Sequence, residues 1–417
     1  MERKPKCYDK IVRLISKGVD ITNPWTIDIG AEVNTDQISG DSVTIYPGCR
    51  IYGEKTVIAA GVKIGNEGPA TIENCQIGPK VELKGGYFSK SVFLEKANMG
   101  LGAHVREACI LEEQANGAHC VGLKHTILFP FVTLGSLINF CDCFMAGGTS
   151  RQDHSEVGSS YIHFNFTPDG DKTTASLIGD VPRGVMLNQS PIFLGGQGGL
   201  VGPLRLGYGN VVAAGSILRR DYPTNNQLII GETPTGAVIP FVPRLYPNLP
   251  RVVETNLLYL ANLIALEQWY IYVRKPFFDT QEFGDLMYSG LLDKLSLAKK
   301  ERIKRLTAMA EKGMMTPDGD THQRQNPAGR KEFHEKIKEV ATLFGKDLLD
   351  RSAEPYRDDF LSSFHKIKKA HETNYIEVIQ GLPADISEKG TLWLDKIIDT
   401  LCRRATAIMP SLNLFTR

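Results

Sequence analysis

Residues 193–218 read Phe-Leu-Gly-Gly-Gln-Gly-Gly-Leu-Val-Gly-Pro-Leu-Arg-Leu-Gly-Tyr-Gly-Asn-Val-Val-Ala-Ala-Gly-Ser-Ile-Leu, and this stretch decides the fold. An apolar residue returns at every sixth position: Leu194, Leu200, Leu206, Val212 and Leu218. A period of six fits neither the turn of a helix, about 3.6 residues, nor the alternation of a long amphipathic strand. Eight glycines lie between Leu194 and Leu218, enough to ruin a helix. The hexapeptide unit of a parallel β-helix accounts for both observations. Each unit supplies one short strand and one tight corner, and three units close a triangular coil. The sixth-position side chain points inward and stacks on the coil beneath, while Gly, Asn and small residues take corners that need a permissive backbone.

The same period runs through Val132, Ile138 and Phe144, through Ile45, Ile51 and Val57, and through Met99, Val105 and Leu111. A Gly-rich β-sandwich would have to produce all four runs by coincidence. The repeat fades over 150–174 and again over 182–191, which reads as loops projecting from the coils. Glycine then divides the chain: of 40, 32 precede residue 245 and 8 follow it. Prolines 223, 234, 240, 243, 247 and 250 mark a connector, because each removes a backbone donor and restricts its predecessor. The expected organisation is a helical lead-in over 1–21, a β-helix over 22–222, a Pro-rich linker over 223–250 and an all-α domain over 251–417. Helices are expected over 252–273, 279–312, 331–351, 356–380 and 386–407, with a polar loop over 313–329. The basic run Lys299, Lys300, Arg302, Lys304 and Arg305 reads as a solvated helix face.

With 48 Lys+Arg against 47 Asp+Glu in 417 residues, the chain lacks the basic footprint of a nucleic-acid binder. A 42% apolar fraction describes a globular protein. No basic-then-apolar leader opens the sequence, and no stretch is bare enough to span a bilayer, so no membrane partner and a cytoplasmic location are expected. The eight cysteines are scattered apart from Cys141 and Cys143. They are expected as free thiols, with no metal site.

Histidines are the candidates for chemistry. His322, His334, His365 and His371 lie on polar loops or among charged neighbours, where surface roles suffice. His104 and His119 sit in the repeat, and His154 and His163 in the loop-like stretch 151–171. His125 stands in Gly122-Leu-Lys-His-Thr-Ile-Leu128, between two regular coil segments.

From Gly18 to Asp221 the chain resembles the left-handed β-helix acetyltransferase domain of the bacterial bifunctional N-acetylglucosamine-1-phosphate uridyltransferase/glucosamine-1-phosphate acetyltransferase family. The resemblance begins at Gly18-Val-Asp-Ile-Thr-Asn-Pro24. It continues through Gly102-Ala-His-Val105, Lys124-His-Thr126, and Asn165-Phe-Thr-Pro-Asp-Gly170 with Lys172, then through Leu177-Ile-Gly-Asp180, and is densest over 193–207 and 213–221. It implies a left-handed coil, acetyl-CoA as co-substrate and a homotrimer whose sites are shared between neighbours. His125 falls on the catalytic histidine and Asn139 on the acceptor-binding asparagine. Asn165, Phe166 and Lys172 fall on cofactor contacts, and Gly196 and Ala214 on a small backbone site near the cofactor's end. Between Asn139 and Asn165 the chain is about one coil longer than the family pattern.

Two departures bear on the acceptor. The arginine and lysine that clamp a sugar phosphate in the family are replaced by Glu95 and Glu113, which would repel a phosphate. The tyrosine expected after the histidine is Leu128. No segment resembles the family's nucleotidyl-transfer domain, so this polypeptide is not expected to make a nucleotide sugar. The implied activity is acyl transfer to a sugar or sugar-nucleotide acceptor. Two alternatives stand beside it: a trimeric scaffold that displays the helical domain to a protein partner, and a β-helix that senses a sugar nucleotide.

Overall fold

The computed structural model describes residues 7–231, 236–238, 241, 243–244, 246–314, 326–345, 351–368 and 374–416. Most of the loop expected over 313–329, and with it His322 and His371, lies outside these residues.

The first half is a left-handed parallel β-helix of about 11 turns, as the hexapeptide period requires. Its first face stacks eleven strands, from Asp20–Ile21 to Leu228–Ile229. The second face carries strands such as Ala103–Val105 and Ile162–Phe164, and the third carries strands such as Ser91–Phe93 and Cys109–Leu111. The second and third faces fuse where Gly122–Leu128 and Asn139–Met145 run unbroken over their common edge. They turn at His125 and Asp142, whose φ values are 47° and 59°.

Three boundaries shift. Strand Asp20–Ile21 falls in the expected lead-in, and Leu228–Ile229 in the expected linker. Within the segment expected to be loop over 150–174, Glu156–Val157 and Ile162–Phe164 continue the coil. His163 is therefore a buried strand residue, opposite Leu200.

The third face explains the rest of the architecture. Ile77, Phe93, Leu111, Leu128, Met145 and Ile178 form one ladder in register and are buried. So do the alternate positions Gln76, Val92, Ile110, Ile127, Phe144 and Leu177. Neighbours along a strand point to opposite sides, so this face, Gln76 apart, is apolar both inside and outside. At this edge the step between inward residues shortens to five, from Leu123 to Leu128 and from Phe140 to Met145, and lengthens to seven from Ile51 to Ile58. Phase slips there, and Phe144 and Val57 face outward, not into the coil as the six-residue runs imply.

The helices cover that outer surface. The elements are α1 Tyr8–Lys17, α2 Val181–Gly184, α3 Leu249–Trp269, α4 Lys275–Phe278, α5 Gly284–Met314, α6 Pro327–Gly345, α7 Glu354–Ile367, α8 Tyr375–Gln380 and α9 Ala384–Ile408. Helix α1 closes the N-terminal end of the coil: Lys10 Nζ donates to the carbonyls of Gly30, Ala31 and Val33 at 2.8, 2.8 and 2.6 Å. Helices α3 and α4 are joined by a π-helical turn, Tyr270–Arg274. The single helix expected over 356–380 is two, α7 and α8. Trp269, Phe360 and Trp393 stack at the centre of the helical layer, and α5 lies along the third face.

A chain cut after residue 231 would bare Val92, Ile110, Ile127, Phe144 and Leu177 as one apolar stripe. Each is worth about 2 kcal/mol of burial, and a stripe of this kind drives association. Such a fragment is expected to aggregate and to enhance ANS fluorescence strongly. A monodisperse, dye-silent fragment would show that the helices do not seal this face.

Candidate functional site

The edge between the second and third faces gathers the chemistry. The corner needs a positive φ, and it turns the His125 ring across to Asp142, its neighbour one coil on. Nδ1 of His125 lies 3.4 Å from Asp142 Oδ1, with the side chains 9% and 4% exposed. A carboxylate beside Nδ1 favours the tautomer protonated there, which leaves Nε2 as the basic nitrogen. Arg302 of α5 donates to the same carboxylate oxygen at 2.7 Å and to the Lys172 carbonyl at 2.9 Å. Burial by itself would raise the Asp142 carboxyl. Arg302 and the bond from His125 outweigh it and hold the group below its ordinary value.

Arg302 is 2% exposed, so the expected solvated basic face is corrected at this position, whereas Lys300 and Lys304 are exposed as expected. Lys299 pairs with Glu267 at 2.6 Å, and Arg305 with Glu301 on its own helix. Of these three cations, Arg302 is the one that meets an acid of the β-helix, Asp142, far away in sequence.

The residues aligned with cofactor contacts divide between two edges. Asn165 and Phe166 follow strand Ile162–Phe164 at the His125 edge, and Phe166 is 78% exposed. Lys172, half-buried, closes the same excursion. Asn139 is exposed on the second face, opposite Gly122 and three residues before Asp142. Gly196 and Ala214 sit instead at the edge between the first and second faces, where the Gly215 N–H donates to the Gly196 carbonyl at 2.9 Å. A full width of the second face separates them from His125. Within one chain the two groups do not meet.

Glu95 and Glu113 occupy the third edge. Both line a cavity of about 300 Å³ that is closed by Arg274, Phe277, Phe278 and Tyr375 of the helical domain. They share this cavity, and the third face stands between them and His125. Nor are they bare charges. Glu95 pairs with Lys96 at 3.0 Å, and Glu113 accepts from Arg274 Nη2 at 2.6 Å. The two-carboxylate repulsion expected from the sequence is thereby offset, because the helical domain supplies an arginine. Arg274 is buried with its guanidinium 3.6 Å from the centroid of the Tyr375 ring. Beside it, buried Glu112 accepts from the Tyr270 hydroxyl. Burial pushes the Glu112 carboxyl up to about 7, helped by Glu113 and opposed by Arg274.

Two further cations could have served a phosphate. Lys124 pairs with Glu107 at 2.9 Å. Arg151 is committed to the carbonyls of Gln114 and Phe131 and to the Thr133 hydroxyl, at 3.1, 2.9 and 2.8 Å. His163 Nδ1 donates to the Cys141 carbonyl at 2.6 Å, and Nε2 accepts from the Ser176 hydroxyl at 2.8 Å. Burial lowers its pKa to about 4, which keeps it neutral inside the coil. All eight cysteines are free thiols. Among the described residues no cluster of three or more His, Cys, Asp or Glu could hold a metal, and no helix is long and apolar enough to cross a membrane.

No family model matches the chain. Comparison with curated proteins finds 29% identity over 215 residues with the Bifunctional protein GlmU of Thermotoga maritima, covering 51% of this chain and 42% of that protein. The protein of the same name from Pelobacter propionicus is 28% identical over 225 residues, covering 53% and 43%. That from Clavibacter sepedonicus is 26% identical over 208 residues, covering 49% and 37%. The chain thus spans about two fifths of the length of these relatives, and the matched length is close to that of the β-helix. Repeat, coil and relatives agree that this chain carries a hexapeptide-repeat β-helix domain similar to that of GlmU, joined to a helical domain packed on its third face.

Proposed function

We propose that the chain is an acetyl-CoA-dependent acyltransferase acting on a sugar or sugar-nucleotide acceptor, with His125 as general base. The observation that carries this reading is the His125–Asp142 pair at a β-helix edge. Nε2 would take the proton from an acceptor amine or hydroxyl as that atom attacks the thioester carbonyl. The ionised Asp142 would then balance the imidazolium. Backbone N–H groups at a coil corner would hold the developing oxyanion; its collapse would break the C–S bond, and the imidazolium would return the proton to the leaving CoA sulfur. Asn139 would orient the acceptor, and Asn165, Phe166 and Lys172 would hold the CoA.

Gly196 and Ala214 lie on another edge, so they could join His125 only from a neighbouring chain; Glu95 and Glu113 line the cavity under Arg274 and stand apart from this reacting set. A homotrimer follows from this reading, with the first and second faces as its contact surfaces. Light scattering is expected to give a trimer or a multiple of three, and a stable monomer at micromolar concentration would contradict it. For the reaction, thiol release from acetyl-CoA is measured with amino sugars, with and without a 1-phosphate, and with sugar nucleotides. Acceptor-dependent release supports the reading. Release with none of them would return the chain to the scaffold reading.

A further inference from the structure

The helical domain reaches the candidate site at more than one point. Besides Arg302, Asn256 of α3 donates to the Thr173 carbonyl at 3.0 Å, and the Tyr246 hydroxyl donates to Asp171 Oδ2 at 2.8 Å. Lys312 of α5 donates to the Asp169 carbonyl. The excursion that carries Asn165, Phe166 and Lys172 is thus held from the helical side over 169–173. Among the described residues, Arg302 is the one side chain that binds this excursion and the partner of His125 together.

The geometry points to Arg302 as a positioning residue: it fixes the Asp142 carboxylate that orients His125, and it anchors the Lys172 backbone in the same move. The inference rests on the acyltransferase reading for its catalytic consequence. It adds that the site is assembled only with the helical domain docked, and that the domain is part of the reacting unit and not an appended display module. Arginine suits the task because its planar fork can serve two acceptors at once in a buried setting, which a lysine ammonium does less well. A buried Asp142 without this partner would be an uncompensated charge.

Several charged or titratable groups face the His125–Asp142 pair. Glu107 and Lys124 belong to the His125 coil, Cys141 and His163 to the β-helix around Asp142, Glu301 and Arg302 to α5, and Tyr259 to α3. Of these, only Arg302 holds the carboxylate by a direct cationic hydrogen bond. Removing it leaves the carboxylate that orients His125 without its cationic anchor.

The test uses the full chain as Arg302→Lys and Arg302→Met, each checked for folding by circular dichroism. The His125 imidazole is observed by NMR, assigned with His125→Asn, and kcat is recorded in parallel. Arg302→Met is expected to shift the His125 ring resonances, because the carboxylate that orients the imidazole loses its anchor, and to lower kcat by a factor on the order of ten or more. Arg302→Lys should return the resonances most of the way to their starting positions. Unchanged His125 resonances in a folded Arg302→Met chain overturn the inference, whatever the activity. Absence of turnover in the unmodified chain removes the acyltransferase reading instead, and leaves the NMR comparison to decide the positioning role.

Discussion

Replacing His125 with asparagine is expected to lower kcat/KM for acyl transfer by a factor on the order of 10² to 10⁴, the usual contribution of a general base. Asparagine is the informative substitution. The corner holds φ at 47°, a region that asparagine tolerates better than other residues with a Cβ. Alanine there would add strain of about 1–3 kcal/mol and confuse folding with chemistry. The amide can still bond to Asp142, so the buried carboxylate and Arg302 keep their places. What disappears is the basic nitrogen. Asp142→Asn should act more severely on stability, because it leaves the Arg302 guanidinium buried beside a neutral amide. Steady-state thiol release, with thermal unfolding in parallel, separates these effects. Turnover by His125→Asn within twofold of the parent would remove His125 from the mechanism.

The largest effect on stability is expected at Arg274. Its pairing with Glu113 is buried, and its ring contacts are with Tyr375 and Phe278. Arg274→Ala would leave Glu113 without a cation and beside Glu112, a change that costs about 3–5 kcal/mol. Arg274→Met with Glu113→Gln removes both charges while keeping most of the volume, and should recover most of that loss. Chemical denaturation followed by circular dichroism gives both comparisons. If the single substitution is as mild as the double one, the ion pair does not join the domains.

Glu112 adds a pH dependence with a definite sign. Its folded-state pKa is raised, to about 7, above the ordinary value near 4.3 of an unfolded chain. Over that window the folded form binds the extra proton, so this contribution is complete at low pH and is lost as pH rises through about 7. Glu112→Gln should flatten the stability profile between about pH 4.5 and 7, and an unaltered slope would assign that titration to another group.

The sequence by itself determined the β-helix, because its rules are local. An inward residue every sixth position and small residues at the corners describe Leu194 to Leu218 strand by strand, and each coil needs only the next one to complete it. It also placed His125 at a coil position and kept Glu95 and Glu113 one coil apart. It could have shown more. His125 lies two hexapeptides beyond Glu113, not three, so the repeat already assigns them to different edges. The third face was legible too: 91–94, 109–111 and 143–146 lack an outward polar alternate, the mark of a strand covered on both sides.

Only the tertiary structure decided what covers that face and what the cover does. Arg302 looked like one cation in a solvated run because charge in a sequence names no partner, and Asp142 stands 160 residues away. The same holds for Arg274 and Glu113, which are 161 residues apart. Such pairs arise when an apolar stripe docks a helix and buries whatever charges lie along the seam. Burial makes each of those charges seek a counter-charge, and docking alone determines which one lies within reach.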